Sequence, residues 1–186
     1  TATATDPSSR LANYTRTNTY GDVTVTKKDV TVSWLAPLTK TYGDANPSVD
    51  WHNFSYVGLY GGDTPSVFSS ITPDFSQVGS NAGTYNIAAN FGLATNYNVL
   101  NAPTSTLTIA RKNVTASFVA PLARVYGAAN PTLTGANFSF IGLVGADTSS
   151  LFTSFTPDWG TANATALAGT YNVSAAIGDT TNYHVS

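Results

Sequence analysis

Apolar and polar positions alternate along most of the chain. Val30, Val32 and Trp34 interleave with Thr31, Ser33 and Leu35, and Val114, Ala116 and Phe118 do the same further on. Phe54 with Tyr56, and Phe138 with Phe140, keep the same spacing, and Leu107 and Ile109 are set between Thr106, Thr108 and Ala110. A period of two places one set of side chains on each face of a strand, so this pattern predicts strands with one packed and one wet face. It predicts strands near 22–27, 30–35, 39–42, 53–58, 66–72, 84–90, 96–100 and 105–110, then near 114–119, 123–126, 137–142, 150–156, 170–176 and 182–185. Gly, Pro, Asn and Asp mark turns at Ala36-Pro37, Gly43 to Pro47, Gly61 to Thr64, Thr72 to Asp74 and Gly79 to Gly83.

The pattern also repeats itself. Residues 28–75 and 112–159 align at an offset of 84, with 26 of 48 positions identical. Most differences keep character, such as Trp34 with Phe118 and Phe75 with Trp159. AGTYNI at 82–87 matches AGTYNV at 168–173 at an offset of 86, which implies a two-residue insertion within Gly160 to Leu167. Val23 to Lys28 is similar to Leu107 to Lys112. The expected organisation is a tail of a preceding repeat at 1–27, able to supply a strand, a complete repeat at 28–110, and a second repeat at 111–186. That second copy stops before its counterpart of TLTI, which leaves an edge for a neighbour to cover. Only Arg111-Lys112-Asn113 separates two strand patterns at the boundary, so the repeats are expected end to end with a restricted angle. Two tandem small β domains, each an immunoglobulin-like sandwich, fit the strand number. A β-grasp-like unit with one short helix near Gly58 to Asp63 is the alternative.

Composition sharpens this picture. Thr occurs 29 times and Asn 16 times, and with Ser they make up about a third of the chain; the 10 acidic residues are all Asp. Helix formers such as Glu and Met are absent, whereas Thr, Val, Tyr and Phe suit a pleated surface. Charged residues are 10% of the 186, and the formal net charge is −2. Eight Lys and Arg along the chain make no basic patch, so no nucleic-acid partner is expected. No Cys is present, which excludes disulfides, thiolate zinc sites and Cys nucleophiles. No apolar run reaches the length of a membrane-spanning helix, and no membrane insertion is expected.

Little in the chain points to chemistry. His52 and His184 occupy non-equivalent repeat positions and have no acid and nucleophile at recognisable spacing. No G-x-S-x-G elbow occurs. The expectation is that the protein is not an enzyme. Each repeat has a Tyr-Gly turn followed by Ala-Asn-Pro: Tyr42, Gly43, Asn46 and Pro47, then Tyr126, Gly127, Asn130 and Pro131. Gly permits positive φ, Pro fixes the exit, Asn can bond its own backbone, and the Tyr ring packs while its hydroxyl finds a partner. Asp63 and Asp147 follow Gly-rich turns, and Asp74 and Asp158 follow Thr-Pro. Their expected role is to accept backbone N–H groups rather than bind calcium, which needs several converging oxygens; no cofactor is expected, with calcium the alternative. A Lys–Asn isopeptide crosslink is disfavoured, because Lys40 is replaced by Arg124 in the second copy. Trp51 and Tyr60 lack aromatic counterparts in the second copy, which marks them as the exposed candidates for glycan contact. Six N-x-S/T triplets occur, at Asn13, Asn53, Asn113, Asn137, Asn163 and Asn172; in a chain this rich in Asn, Ser and Thr chance explains most of them, and modification depends on the host and its compartment.

The order Tyr42-Gly43-x-x-Asn46-Pro47, Gly58-Leu59-x-Gly61-x-Asp63-Thr64, Gly83-Thr84-Tyr85, Asn96-Tyr97 and Leu107-Thr108-Ile109 resembles the MBG domain of the YG type. The second copy repeats it as far as Asn182-Tyr183, with Ala128 in place of Asp44. The resemblance implies tandem arrays in very large exported bacterial proteins, many of them adhesins, and so an extracellular location, secreted or on the bacterial cell surface. It implies a non-catalytic stalk or spacer that carries a binding region away from the cell, with neighbouring repeats as partners. The alternative is a carbohydrate- or protein-binding module that itself attaches to host surfaces or biofilm. A further alternative is self-association by swapping the N-terminal strand into another chain.

Overall fold

The computed structural model describes residues 14, 15, 17 and 19–186. Asn13, and most of the first half of the 1–27 tail, lie outside the described residues. The fold is mainly β, with twelve strands and four three-residue 3₁₀ turns among the described residues. In the first repeat β1 (Lys28–Trp34) runs between β3 (Phe54–Val57), antiparallel, and β6 (Tyr97–Val99), parallel. The second sheet is four-stranded in the order β2 (Leu38–Thr41), β7 (Thr104–Ala110), β5 (Gly83–Phe91), β4 (Ile71–Asp74). β7 is parallel to β2 and antiparallel to β5, so it is the central strand that both neighbours need.

Alternation does the folding work here. Val30 and Val32 on β1 are fully buried, while Thr31 and Ser33, which alternate with them, are exposed. They meet Phe54, Phe68, Ala89, Ala94 and Tyr97 in one core between the two sheets. Leu107, Ile109 and Ile87 are buried along the four-stranded sheet. Burying a side chain of this size contributes about 1.5–3 kcal/mol. Two polar ties register the sheets: the Trp34 indole donates to the Pro103 carbonyl at 3.1 Å, and the Asn101 side chain bonds both the N–H and the C=O of Val32.

The second repeat reproduces the first sheet. β8 (Lys112–Phe118) lies between β9 (Phe138–Ile141) and β12 (Tyr183–Val185) with the same senses. Its other sheet has only β10 (Phe155–Asp158) and β11 (Ser174–Ile177). The segments 123–126, expected as a strand, and 170–173, the first part of the strand expected at 170–176, are not paired into strands. The reason is physical: within 114–186 there is no counterpart of β7, whose amides and carbonyls both segments would use. The segment 22–27 is likewise exposed and unpaired, against the strand expected there.

Two other expectations are corrected. The strands expected at 66–72 and 150–156 each divide into a 3₁₀ turn (Pro65–Val67, Ser149–Leu151) and a short strand. The turn expected at Thr72 to Asp74 lies inside β4, which accepts Pro73 because β4 is an edge strand. The short helix of the β-grasp alternative is not formed: Gly58 to Asp63 is a turn, with Gly58 at φ 113°. A Cβ on Gly58 would lie 2.6 Å from the Asp29 carbonyl oxygen, so β1 can pass only against a glycine. Among the described residues no helix is long and apolar enough to cross a membrane.

Candidate functional site

The most elaborate polar arrangement in the molecule lies where the two repeats meet. A single residue, Arg111, separates β7 from β8, so one repeat's last strand runs into the next repeat's first. Beside this crossing, the Tyr42-Gly43 turn of the first repeat sits on the second repeat's core. The Tyr42 ring stands edge-on to Tyr183, with centroids 5.4 Å apart at 81°. Its hydroxyl donates to Asp147 Oδ2 at 3.0 Å, and the Tyr183 hydroxyl donates to the same oxygen at 2.5 Å. The Tyr183 hydroxyl in turn accepts the Val144 N–H at 2.8 Å. One carboxylate thus joins a tyrosine from each repeat.

The backbone makes this approach possible. Gly43 has φ 88°, and a Cβ there would come within 2.6 Å of the Val144 side chain. Gly43 therefore serves both the turn and the close contact between repeats. The Tyr42 N–H is held by the Ala110 carbonyl at 2.9 Å, which fixes the turn to β7. On the other side of the junction, Asn182 accepts the Ala82 N–H at 2.8 Å and donates to the Asn81 side chain at 3.0 Å. Arg111 adds an exposed pair with Asp179 at 3.3 Å. Electrostatics follow from this geometry. Burial, then the bond to Asp147, pushes the Tyr183 phenol up to about 12. Tyr42 is raised as well, chiefly by its bond to Asp147 and then by burial.

The first repeat holds an equivalent socket. The Tyr97 hydroxyl donates to Asp63 and accepts the Tyr60 N–H at 3.0 Å. Tyr97 is raised, chiefly by its bond to Asp63. Among the described residues no second tyrosine reaches Asp63, which is exposed where Asp147 is half-buried. The second repeat holds an equivalent plug, Tyr126-Gly127, with Tyr126 65% exposed and open space around Gly127.

Other sequence-predicted residues fall as follows. Trp51 is not an exposed platform: it is half-buried and packs against the first core, because the 3₁₀ turn Trp51–Asn53, capped by Asp50, turns its ring inward. Tyr60 is 74% exposed, with the Lys28 ammonium 5.7 Å from its ring centroid. Asn46 and Asn130 do not bond their own backbone. Asn46 accepts from Lys40 at 2.9 Å, and Asn130 donates to the Ala162 carbonyl at 2.9 Å, so each ties its turn to another stretch of chain. Pro47 and Pro131 follow them, both half-buried. Asp63 and Asp147 bond tyrosine hydroxyls rather than backbone, whereas Asp74 and Asp158 accept the N–H of Ser76 and Gly160. Lys40 lies on β2, and its ammonium bonds the Asp44 carbonyl and the Asn46 side chain, both exposed, rather than a buried amide or carboxylate. Among the described residues no three of His and Asp converge as metal ligands. Tyr97 and Tyr183 belong to the site although spacing along the chain gave no sign of their contact with Asp63 and Asp147.

Fold and junction together define a tandem β-sandwich repeat protein. The model of the MBG domain (YGX type) family matches residues 30–108 and again 114–186, and the chain belongs to that family. MBG domains are associated with the repeats of large surface adhesins. Comparison with curated proteins and with solved structures gave no match.

Proposed function

We propose that this chain is a non-catalytic stalk segment of a large bacterial extracellular adhesin, spacing a binding region from the cell surface. The observation that carries this reading is the shared Asp147 carboxylate at the junction. A spacer has to transmit direction from repeat to repeat. A one-residue connection, a tyrosine plug, the Asn81–Asn182 pair and the Arg111–Asp179 pair together restrain bending and rotation between the units. Small interfaces between domains otherwise leave relative motion as the default. The low charge and hydroxyl-rich faces suit a repeated exported segment, and the absence of Cys removes any need for oxidative folding.

Solution scattering extrapolated to zero concentration tests the reading. The expected profile is that of two units end to end, with a maximum dimension well beyond that of a 186-residue sphere. The glycan array supplies the opposing result. Binding of the purified chain that is lost in Trp51→Ala or Tyr60→Ala would make the repeats adhesive in their own right.

A further inference from the structure

Two segments of the first repeat lie side by side along its length. Residues 28–41 and 97–110 run parallel, each residue beside the one 69 positions later. Lys28 faces Tyr97 in the three-stranded sheet, and Thr41 faces Ala110 in the four-stranded one. Backbone bonds hold both ends. The Lys28 N–H donates to the Asn96 carbonyl at 2.8 Å, the Leu100 N–H to the Val30 carbonyl at 3.1 Å, and the Tyr42 N–H to the Ala110 carbonyl at 2.9 Å. Between the two sheets the backbone ladder breaks, and side chains continue it. Asn101 accepts the Val32 N–H at 3.2 Å and donates to the Val32 carbonyl at 2.8 Å, and the Trp34 indole donates to the Pro103 carbonyl at 3.1 Å. Val30, Val32, Leu107 and Ile109 are buried along the two segments, none more than 3% exposed. A slip of one residue would turn them toward water, so burial locks the register.

We propose that this parallel pair is a tension clamp, and that Asn101 and Trp34 are the side chains that complete it. The chain enters the pair at Lys28 and leaves it at Ala110, and these two residues lie at opposite ends of it. Tension along the chain therefore draws 28–41 backward and 97–110 forward. The segments are made to slide past each other, and the bonds between them are loaded together. Entry and exit at the same end would let the bonds open one at a time. Bonds in a parallel pair are evenly spaced, so the load divides among them. Where the backbone ladder is interrupted, the Asn101 amide and the Trp34 indole take a share of it. The exit lies at the junction. Tyr42, whose N–H bonds Ala110, is the residue that docks on the second repeat, and only Arg111 separates β7 from β8. Tension thus passes from the clamp straight into the next repeat. The clamp deepens the stalk reading and rests on it for its use: a spacer bears whatever load its binding region takes up.

Single-molecule pulling on the 186-residue chain tests this, with handles on two introduced cysteines, since the chain has none of its own. Thr26→Cys with Arg111→Cys loads the first repeat end to end. Ala36→Cys with Ala102→Cys, exposed positions near the middle of each segment, pulls the segments apart sideways. The expected rupture force is several-fold higher end to end. In that geometry Asn101→Ala and Trp34→Phe lower the force, whereas Ile71→Val, on the edge strand β4, lowers the melting temperature and leaves the force unchanged. Forced rupture is governed by the unfolding rate rather than by equilibrium stability, so a merely stabilising role would not produce this split. Equal forces in the two geometries overturn the proposal. So do forces that follow the melting temperatures across all three variants. Neither result touches the stalk reading, which stands or falls on the scattering profile.

Discussion

Gly83–Phe91 and the matching stretch 169–177 begin from nearly the same sequence, AGTYNI against AGTYNV, and end differently. In the first repeat all nine residues form β5, the first half paired with β7 and the second with β4. In the second repeat only Ser174–Ile177 is strand, the half that pairs with β10. Ile87 is buried and its counterpart Val173 is not; Ala89 is fully buried and Ala175 is half-buried. The difference lies in the neighbour, not in local propensity. A strand is stable where its backbone groups are paired and one face is covered, and β7 supplies both. The core shows the same loss: seven buried residues cluster in the first repeat, and three, helped by Tyr42 from the first repeat, in the second.

The comparison can be broken most forcefully at Leu107, the fully buried centre of β7. Leu107→Ala removes the packing that sets the two repeats apart, at an expected cost of about 3 kcal/mol, within the usual range for such a truncation. Denaturant melts read the cost. Amide exchange at 83–87 should accelerate toward that of 169–173. A cost below about 1 kcal/mol would mean that β7 does not hold the sheet.

A smaller effect separates the two sockets. Tyr183→Phe deprives the half-buried Asp147 and the Val144 amide of a partner and should cost about 2 kcal/mol, whereas Tyr97→Phe, beside an exposed Asp63, should cost less. Equal losses, measured on single-repeat unfolding transitions, would show that cover from Tyr42 adds nothing.

The pH dependence is spread over both repeats. Tyr183 and Tyr56 are each raised to about 12, both chiefly by burial. A raised phenol holds its proton more tightly in the folded chain, so stability is full below pH 10 and falls as pH rises through 12. Tyr183→Phe should flatten the alkaline decline of the second repeat and leave that of the first. If the second repeat's decline is unchanged, the phenol is not the group that titrates.

Much of the frame was legible in the sequence. Alternation placed β1, β3, β5, β7, β8 and β9 to within a residue or two, and the offset of 84 exposed the repeat. The parallel pairings of β1 with β6 and β2 with β7 were not legible, because alternation tells which face a residue takes but not which strand lies beside it. The strand expected at 123–126 failed for the same reason: Leu122 and Arg124 alternate like Leu38 and Lys40, but pairing depends on a strand from elsewhere. At the junction, the Tyr-Gly turn was visible as a motif. Its partner was not, since Tyr42 and Asp147 are 105 positions apart and meet only after both repeats have folded. The glycine signal was half legible. Gly43 and Gly127 both need positive φ, but only Gly43 also lies against another repeat. Trp51 misled because its lack of an aromatic counterpart reflects a local addition to the first core.

Whether the junction sets a fixed angle is tested most directly by pulsed electron spin distances between one label in each repeat, at His52→Cys and Thr156→Cys. Both positions are exposed, and the chain has no cysteine of its own to interfere. The account predicts one narrow distance distribution that broadens on Tyr42→Ala. A broad distribution that Tyr42→Ala leaves unchanged would contradict it.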